Sequence, residues 1–193
     1  MRDVIRIAIA SLFLFATGVV AGADVEKGLE AYDMGDYEAA MAECLPLAEE
    51  GNAKAQFCIG QMYANGFGVA MDDAEALKWY GLAATGGDSD AQFNLGVMYA
   101  NGWGVEMDDA KAAEYYKQAA EQGHSCAQRS LAYITSRGIG VDENLQDAYM
   151  WYYVSAELGD NAAVGSRDEF GEKLTAEQRL EAEALAKKWL AGF

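Results

Sequence analysis

A repeat of 36 residues is the feature that most constrains how this chain folds. Three similar segments begin with Ala-Gln at Ala55, Ala91 and Ala127, each 36 residues after the last. The same spacing relates Gly66, Gly102 and Gly138; Gly68, Gly104 and Gly140; Val69, Val105 and Val141; Ala76, Ala112 and Ala148; Trp79, Tyr115 and Trp151; and Gly87, Gly123 and Gly159. Periods of roughly 20 to 50 residues are typical of solenoids, in which each unit packs against its neighbours.

The first half of each unit has the apolar spacing of a helix. Ala55, Ile59 and Tyr63 lie at i, i+4 and i+8, which predicts one buried stripe. Gly60 and Gly96 fall in the middle of these predicted helices, where glycine costs about 1 kcal/mol relative to alanine. We therefore expect two helices to pack closely at these points.

A glycine turn separates the first helix of each unit from a second one. Asn65-Gly66 and Gly68 are predicted to end the first helix, because glycine reaches the left-handed backbone conformations of helix ends. Asp72 is predicted to cap the second helix, and Glu75 to complete a capping box with it. The equivalent caps in the later units are Asp108 and Asn144.

Residues 1–23 have the order of a secretory signal peptide. Arg2 and Arg6 give a basic start, residues 7–20 are apolar, and Ala21-Gly22-Ala23 supplies small residues for a peptidase. The alternative is a retained membrane anchor, but the apolar run is shorter than the roughly 20 residues that span a bilayer. We expect cleavage after Ala23, a periplasmic or secreted mature protein, and no membrane attachment after cleavage.

The composition excludes several classes of function. The chain has 31 acidic against 14 basic residues, a net charge of −17, which argues against binding nucleic acid or anionic lipid. With one His and three Cys, it lacks the parts of most metal sites and of a catalytic triad, so neither a metal nor a cofactor is predicted. The single histidine, His124, follows a glycine and is predicted to be a solvated turn residue.

The repeated units resemble Sel-1-like repeats, which are relatives of tetratricopeptide repeats. The shared pattern is Ala-x3-Leu-Gly-x2-Tyr-x2-Gly-x-Gly-Val-x2-Asp-x3-Ala-x2-Trp, and the third copy departs from it at Thr135. The resemblance implies an all-α, right-handed solenoid of helix-turn-helix repeats. The predicted units are an N-terminal half-repeat at 24–51, repeats at 52–87, 88–123 and 124–159, and C-terminal capping helices at 160–193.

The resemblance implies a scaffold or adaptor of the cell envelope whose concave face binds a protein or peptide in the periplasm or outside the cell. Two alternatives remain open. Some exported relatives resemble β-lactamases, but no serine of this chain is followed by lysine three residues later, as that nucleophile motif requires, so no enzyme is predicted. The other alternative is a regulator of a periplasmic signalling partner.

A line of residues beside the packing stripe faces the concave groove in tetratricopeptide relatives. The resemblance assigns this role to Phe57, Gln61, Asn65, Phe93, Val97, Asn101, Arg129, Tyr133 and Arg137. Arginine and aromatic residues often anchor interfaces, and Arg129 with Arg137 would hold a carboxylate or an acidic segment. The alternative for Phe57 and Phe93 is that both belong to the core.

Two further features each leave two interpretations open. Cys44 and Cys58 lie seven residues on either side of Gly51, so a turn there would place them face to face. They would then form either a disulfide or a pair of small buried core residues. Cys126 has no predicted partner.

The residues between the paired glycines either fold back onto their own helices or form an exposed apolar ridge that a partner or a second copy covers. These residues are Phe67, Trp103 and Ile139.

Overall fold

The computed structural model describes residues 23–192, which form ten helices and no strand. The helices are α1 (Val25–Asp33), α2 (Tyr37–Glu49), α3 (Ala53–Asn65), α4 (Asp73–Thr85), α5 (Ser89–Asn101), α6 (Asp109–Glu121), α7 (Ser125–Thr135), α8 (Leu145–Glu157), α9 (Asn161–Lys173) and α10 (Ala176–Ala191). The predicted all-α class is confirmed. The predicted signal peptide lies, apart from Ala23, outside the described residues.

Each helix packs mainly against its neighbours along the chain, as in a solenoid. Consecutive helices from α1 to α9 are in contact, whereas α10 packs against α8. The core is correspondingly divided into small clusters at the junctions between units, rich in alanine and aromatic side chains. None of the described helices is both long and apolar enough to cross a membrane.

The capping residues that the sequence predicts form the starts of α4, α6 and α8. Asp72 accepts hydrogen bonds from the backbone N–H groups of Ala74 and Glu75, and the equivalent caps are Asp108 and Asn144. The predicted capping box at Asp72 is wrong, because the Glu75 carboxylate instead binds Lys78 Nζ at 2.9 Å. A reciprocal box does form at Thr175, which starts α10.

Close approach of two helices explains the glycines in the middle of α3 and α5. A Cβ atom added at Gly60 would lie 2.6 Å from the ring of Tyr80 in α4, and one added at Gly96 would lie 2.6 Å from the ring of Tyr116 in α6. The expected tight packing is therefore confirmed. At the end of α3, Gly66 has φ of 69°, the left-handed conformation that stops the helix.

A buried glutamine ties each first helix to the second helix before it, a role that the sequence analysis missed. In each unit the side-chain Nε2 donates to a carbonyl oxygen near the end of the preceding helix, where backbone acceptors lack helical partners. The pairs and their N–O distances are Gln56 with Ala48 (3.0 Å), Gln92 with Ala84 (3.4 Å) and Gln128 with Ala120 (3.1 Å).

Candidate binding groove

Three pockets recur at successive junctions between units and line the side of the fold formed by α3, α5, α7 and α9; we call this row the groove. The first pocket has a volume of about 220 Å³ and includes Gln61, Asn65, Asp73, Tyr80, Asn94 and Trp103. The second, of about 460 Å³, includes Tyr116, Arg129, Ser130, Tyr133, Ile139 and Tyr152. The third, of about 450 Å³, includes Tyr133, Ser136, Arg137, Tyr152, Ser166 and Lys173.

The first two pockets are built from equivalent positions of successive units. Tyr80 and Tyr116 are 36 residues apart, as are Trp103 and Ile139, and each pair contributes one member to each pocket. In the second pocket, Ile139 takes the place that the indole of Trp103 has in the first. The repeat therefore produces a row of similar depressions whose chemistry changes from unit to unit.

Most of the groove residues assigned from the resemblance line these pockets. They are Gln61, Asn65 and Val97 in the first pocket, Arg129 and Tyr133 in the second, and Tyr133 and Arg137 in the third. Asn101 is exposed but lines none of the three. A partner-binding role for all of them stays a prediction.

Phe57 and Phe93 pack against the core while remaining half-buried. The Phe57 ring lies 5.7 Å from that of Tyr80, and the Phe93 ring lies 5.8 Å from that of Tyr116. These contacts agree with the interpretation that the two rings belong to the core. Either ring keeps only part of its surface for a partner.

The asparagines at the ends of α3 and α5 use their amide N–H groups within their own helices. Asn65 Nδ2 donates to the carbonyl oxygen of Gln61 at 2.8 Å, and Asn101 Nδ2 donates to that of Val97 at 2.7 Å. The carbonyl oxygens of both side chains remain for a partner. Each Nδ2 also keeps its second N–H, so both asparagines retain one donor and one acceptor group for a partner.

The two groove arginines differ in whether they form an ion pair within the described part of the chain. Arg129 Nε donates to Asp160 Oδ2 at 2.7 Å, and this hydrogen bond raises the pKa of Arg129. Burial alone would raise the pKa of Asp160, but hydrogen bonds from Arg129 and Ser155 hold it below its usual value. Arg137 lies 4.8 Å from the ring of Tyr133 and forms no salt bridge within residues 23–192. The expected carboxylate site therefore depends mainly on Arg137.

His124 caps α7, so the prediction of a solvated turn residue is wrong. Its side chain is 15% exposed, its Nδ1 accepts from the Ala127 N–H at 3.1 Å, and its ring stacks on Phe93 at 4.7 Å. Its Nε2 lies 3.2 Å from Asp90, and this hydrogen bond lowers the pKa of Asp90. The repeat pattern indicates this capping role, because the equivalent positions in the other units hold the capping residues Asn52, Asp88 and Asp160.

The residues between the paired glycines do not share one environment. Phe67 stacks at 4.7 Å on Tyr37 of α2, in the preceding half-repeat and not in its own helix pair, and Ile139 packs against the core. Trp103, in contrast, is 51% exposed. A continuous apolar ridge is therefore absent from these three positions.

Cys44 and Cys58 are both fully buried and lie against each other as free thiols. The hydrogen bond with Cys44 raises the pKa of Cys58. The two side chains are thus neighbours, as their spacing around Gly51 suggests, and the disulfide stays a prediction. Cys126, in α7, is half-buried.

No group of three His, Cys, Asp or Glu side chains in the described part of the chain is arranged to hold a metal ion.

Comparison with known proteins identifies the repeat. The model of the Sel1 repeat family matches residues 53–88, 89–124 and 127–160. A Sel1 repeat protein from Oxalobacter formigenes is 32% identical, with a TM-score of 0.76 over 86% of this chain and 70% of that one. The protein c5321, a protective antigen of uropathogenic Escherichia coli with an SLR fold, is 33% identical, with a TM-score of 0.75. The match covers 84% of this chain and 36% of that one, so this chain spans about a third of its length.

A third solved structure shares the fold alone. Helicobacter pylori cysteine rich protein B is 20% identical, with a TM-score of 0.52 over 75% of this chain and 98% of that one. No curated protein matches the chain. Since the family model covers more than half of the residues and the Oxalobacter protein is similar over most of its length, the chain belongs to the Sel1 repeat family.

Proposed function

We propose that this protein is an exported, non-catalytic scaffold that binds a protein or peptide partner in the groove. Sel1-repeat proteins generally act as protein-interaction scaffolds and are typically non-catalytic. The observation that carries the proposal is the row of three neighbouring pockets, since successive units of a solenoid build extended binding surfaces in this way.

The second and third pockets are the favoured contact points for the protein partner. Tyr133 lines both pockets and is 48% exposed, and Arg137 lies over its ring. Tyrosine and arginine are enriched among the residues that dominate binding energy at interfaces. The strongly acidic composition of the chain favours a partner whose surface is not acidic overall.

The groove is tested by capturing partners from a cell-envelope fraction and repeating the capture with variants. We expect Tyr133→Ala combined with Arg137→Glu to lose a partner that the wild-type protein retains. Lys117→Glu is the matched control, because Lys117 is an exposed base of α6 that lines none of the three pockets. Unchanged capture by the groove variant, with an unchanged circular dichroism spectrum, would contradict the proposed function.

Export is tested separately by the intact mass of the protein recovered from the periplasm and the medium. The order of basic, apolar and small residues at the start of the chain supports removal of residues 1–23, leaving Asp24 as the first residue. A recovered mass that still includes these residues would reject cleavage.

A further inference from the structure

Trp103 is an aromatic side chain of the groove that stacks neither on another aromatic ring nor against a cation in the described part of the chain. It is 51% exposed and belongs to the first pocket. Its equivalent in the preceding unit, Phe67, is stacked on Tyr37 at 4.7 Å. A large exposed indole beside a pocket is a surface that a ligand would cover, because removing it from water is favourable.

Polar side chains with unused hydrogen-bonding capacity share the pocket with Trp103. Gln61 from α3 and Asn94 from α5 are half-buried, and neither side chain makes a hydrogen bond within residues 23–192. Each amide both donates and accepts. Asn65 adds a free carbonyl oxygen, and Asp73 adds a carboxylate that forms no salt bridge with the described residues.

Tyr80 contributes a hydroxyl that makes no hydrogen bond within residues 23–192 and that reaches the surface of the pocket, although the residue as a whole is only 4% exposed. Burial raises the pKa of Tyr80. The equivalent tyrosine of the third pocket, Tyr152, has the hydroxyls of Ser166 and Ser136 as hydrogen-bonding neighbours. The first pocket has Ala64 where the third has Ser136. The Tyr80 hydroxyl, which no serine of its own pocket engages, is therefore open to donate to a ligand or accept from it.

This combination matches the chemistry of a sugar ring. A pyranose presents C–H groups that stack on an indole face, and a rim of hydroxyls that each donate and accept, as Gln61 and Asn94 do. A volume of about 220 Å³ suits one ring. The carboxylate of Asp73 disfavours an acidic sugar, and the pocket holds no base to offset it.

We propose that the first pocket binds one ring of a neutral oligosaccharide, stacked on Trp103 and hydrogen-bonded by Gln61, Asn94 and Tyr80. The second and third pockets lack this set, because they have no tryptophan or side-chain amide. Those two pockets are also the favoured contact points for the protein partner of the proposed function, and its test uses variants in them alone. Failure of either proposal is therefore distinguishable from failure of the other.

The test follows the indole N–H resonance of Trp103 in the ¹⁵N-labelled protein by NMR, assigned with Trp103→Phe. The probes are cellotriose, maltotriose and the β-1,4-linked trisaccharide of N-acetylglucosamine, each titrated to millimolar concentration. We expect at least one trisaccharide to shift this resonance saturably, together with the side-chain amide resonances of Gln61 and Asn94.

Variants separate recognition from folding. Trp103→Ala and Gln61→Ala should each weaken binding about tenfold, and Tyr80→Phe should weaken it severalfold without lowering the melting temperature, since no internal hydrogen bond is lost. Tyr133→Ala is the matched control, an exposed aromatic of the other two pockets that should leave sugar binding unchanged.

Three results would overturn the proposal. The first is the absence of a saturable shift with every trisaccharide. The second is equal weakening by Tyr133→Ala and Trp103→Ala. The third is a Trp103 shift that neutral pentapeptides produce and the trisaccharides do not, which would assign the first pocket to a peptide instead.

Discussion

Two glycine-to-alanine substitutions in helix interiors should have opposite effects on stability. Gly81 lies inside α4, and an added Cβ there would have no heavy atom within 4 Å. Gly96 lies inside α5, where an added Cβ would be 2.6 Å from both Cδ1 and Cε1 of Tyr116. The two positions therefore share the gain in helix propensity but differ in the steric cost.

The expected magnitudes follow from these two contributions. Alanine in place of a helical glycine gains about 1 kcal/mol, so Gly81→Ala should be stabilising by that amount. Overpacking against a buried ring costs about 1–3 kcal/mol, which cancels or exceeds the same gain at Gly96. The two variants should differ by about 2 kcal/mol in the free energy of unfolding, or about 4–8 °C in melting temperature.

Thermal and urea denaturation of the wild type and the two variants, followed by circular dichroism, measure this difference. The wild type should fall between the variants or close to Gly96→Ala. If Gly96→Ala proves as stable as Gly81→Ala, the approach of the Tyr116 ring to α5 is not the reason for glycine at this position.

Two further predictions concern charge and oxidation. The hydrogen bonds from Arg129 and Ser155 outweigh burial and lower the folded-state pKa of Asp160. The stabilising effect of this carboxylate should therefore be present above its unfolded pKa of about 3.9 and lost as the pH falls through the folded value. Asp160→Asn, which retains a capping side chain, should therefore cost about 1 kcal/mol at pH 7 and progressively less as the pH falls below about 3.9, as measured by urea denaturation; a cost independent of pH would refute the role of the charge. Peptide mapping without reduction should find Cys44 linked to Cys58 in exported protein, and alkylation of both thiols without prior reduction would reject the bridge.

Much of the fold was predictable because the 36-residue period makes each local pattern appear several times. A single Asp-x-x-Glu is a weak signal, but capping residues at Asp72, Asp108 and Asn144 in the same register identify the start of a helix. The equivalent positions Asn52 and Asp88 are caps as well, so the same register assigns His124 to the start of α7. Repetition thus supplies what a single copy of the pattern lacks.

The candidate site was less predictable, since the same repeat position meets different neighbours in different units. Phe67 and Trp103 occupy equivalent positions, yet Phe67 stacks on Tyr37 while Trp103 remains 51% exposed. The sequence indicated two groove arginines, but not that Arg129 would be held by Asp160, which lies 31 residues away along the chain.

By itself the sequence determined the all-α class, the period, the caps of α4, α6 and α8, and the tight packing at Gly60 and Gly96. Backbone propensity and steric space at these positions depend on local residues and on the repeat. Only the tertiary structure decided which polar groups lack partners, such as the hydroxyl of Tyr80. That property depends on the side chains that the adjacent unit brings to the pocket. Those side chains differ between copies, as Ala64 and Ser136 do, so the period alone does not specify them.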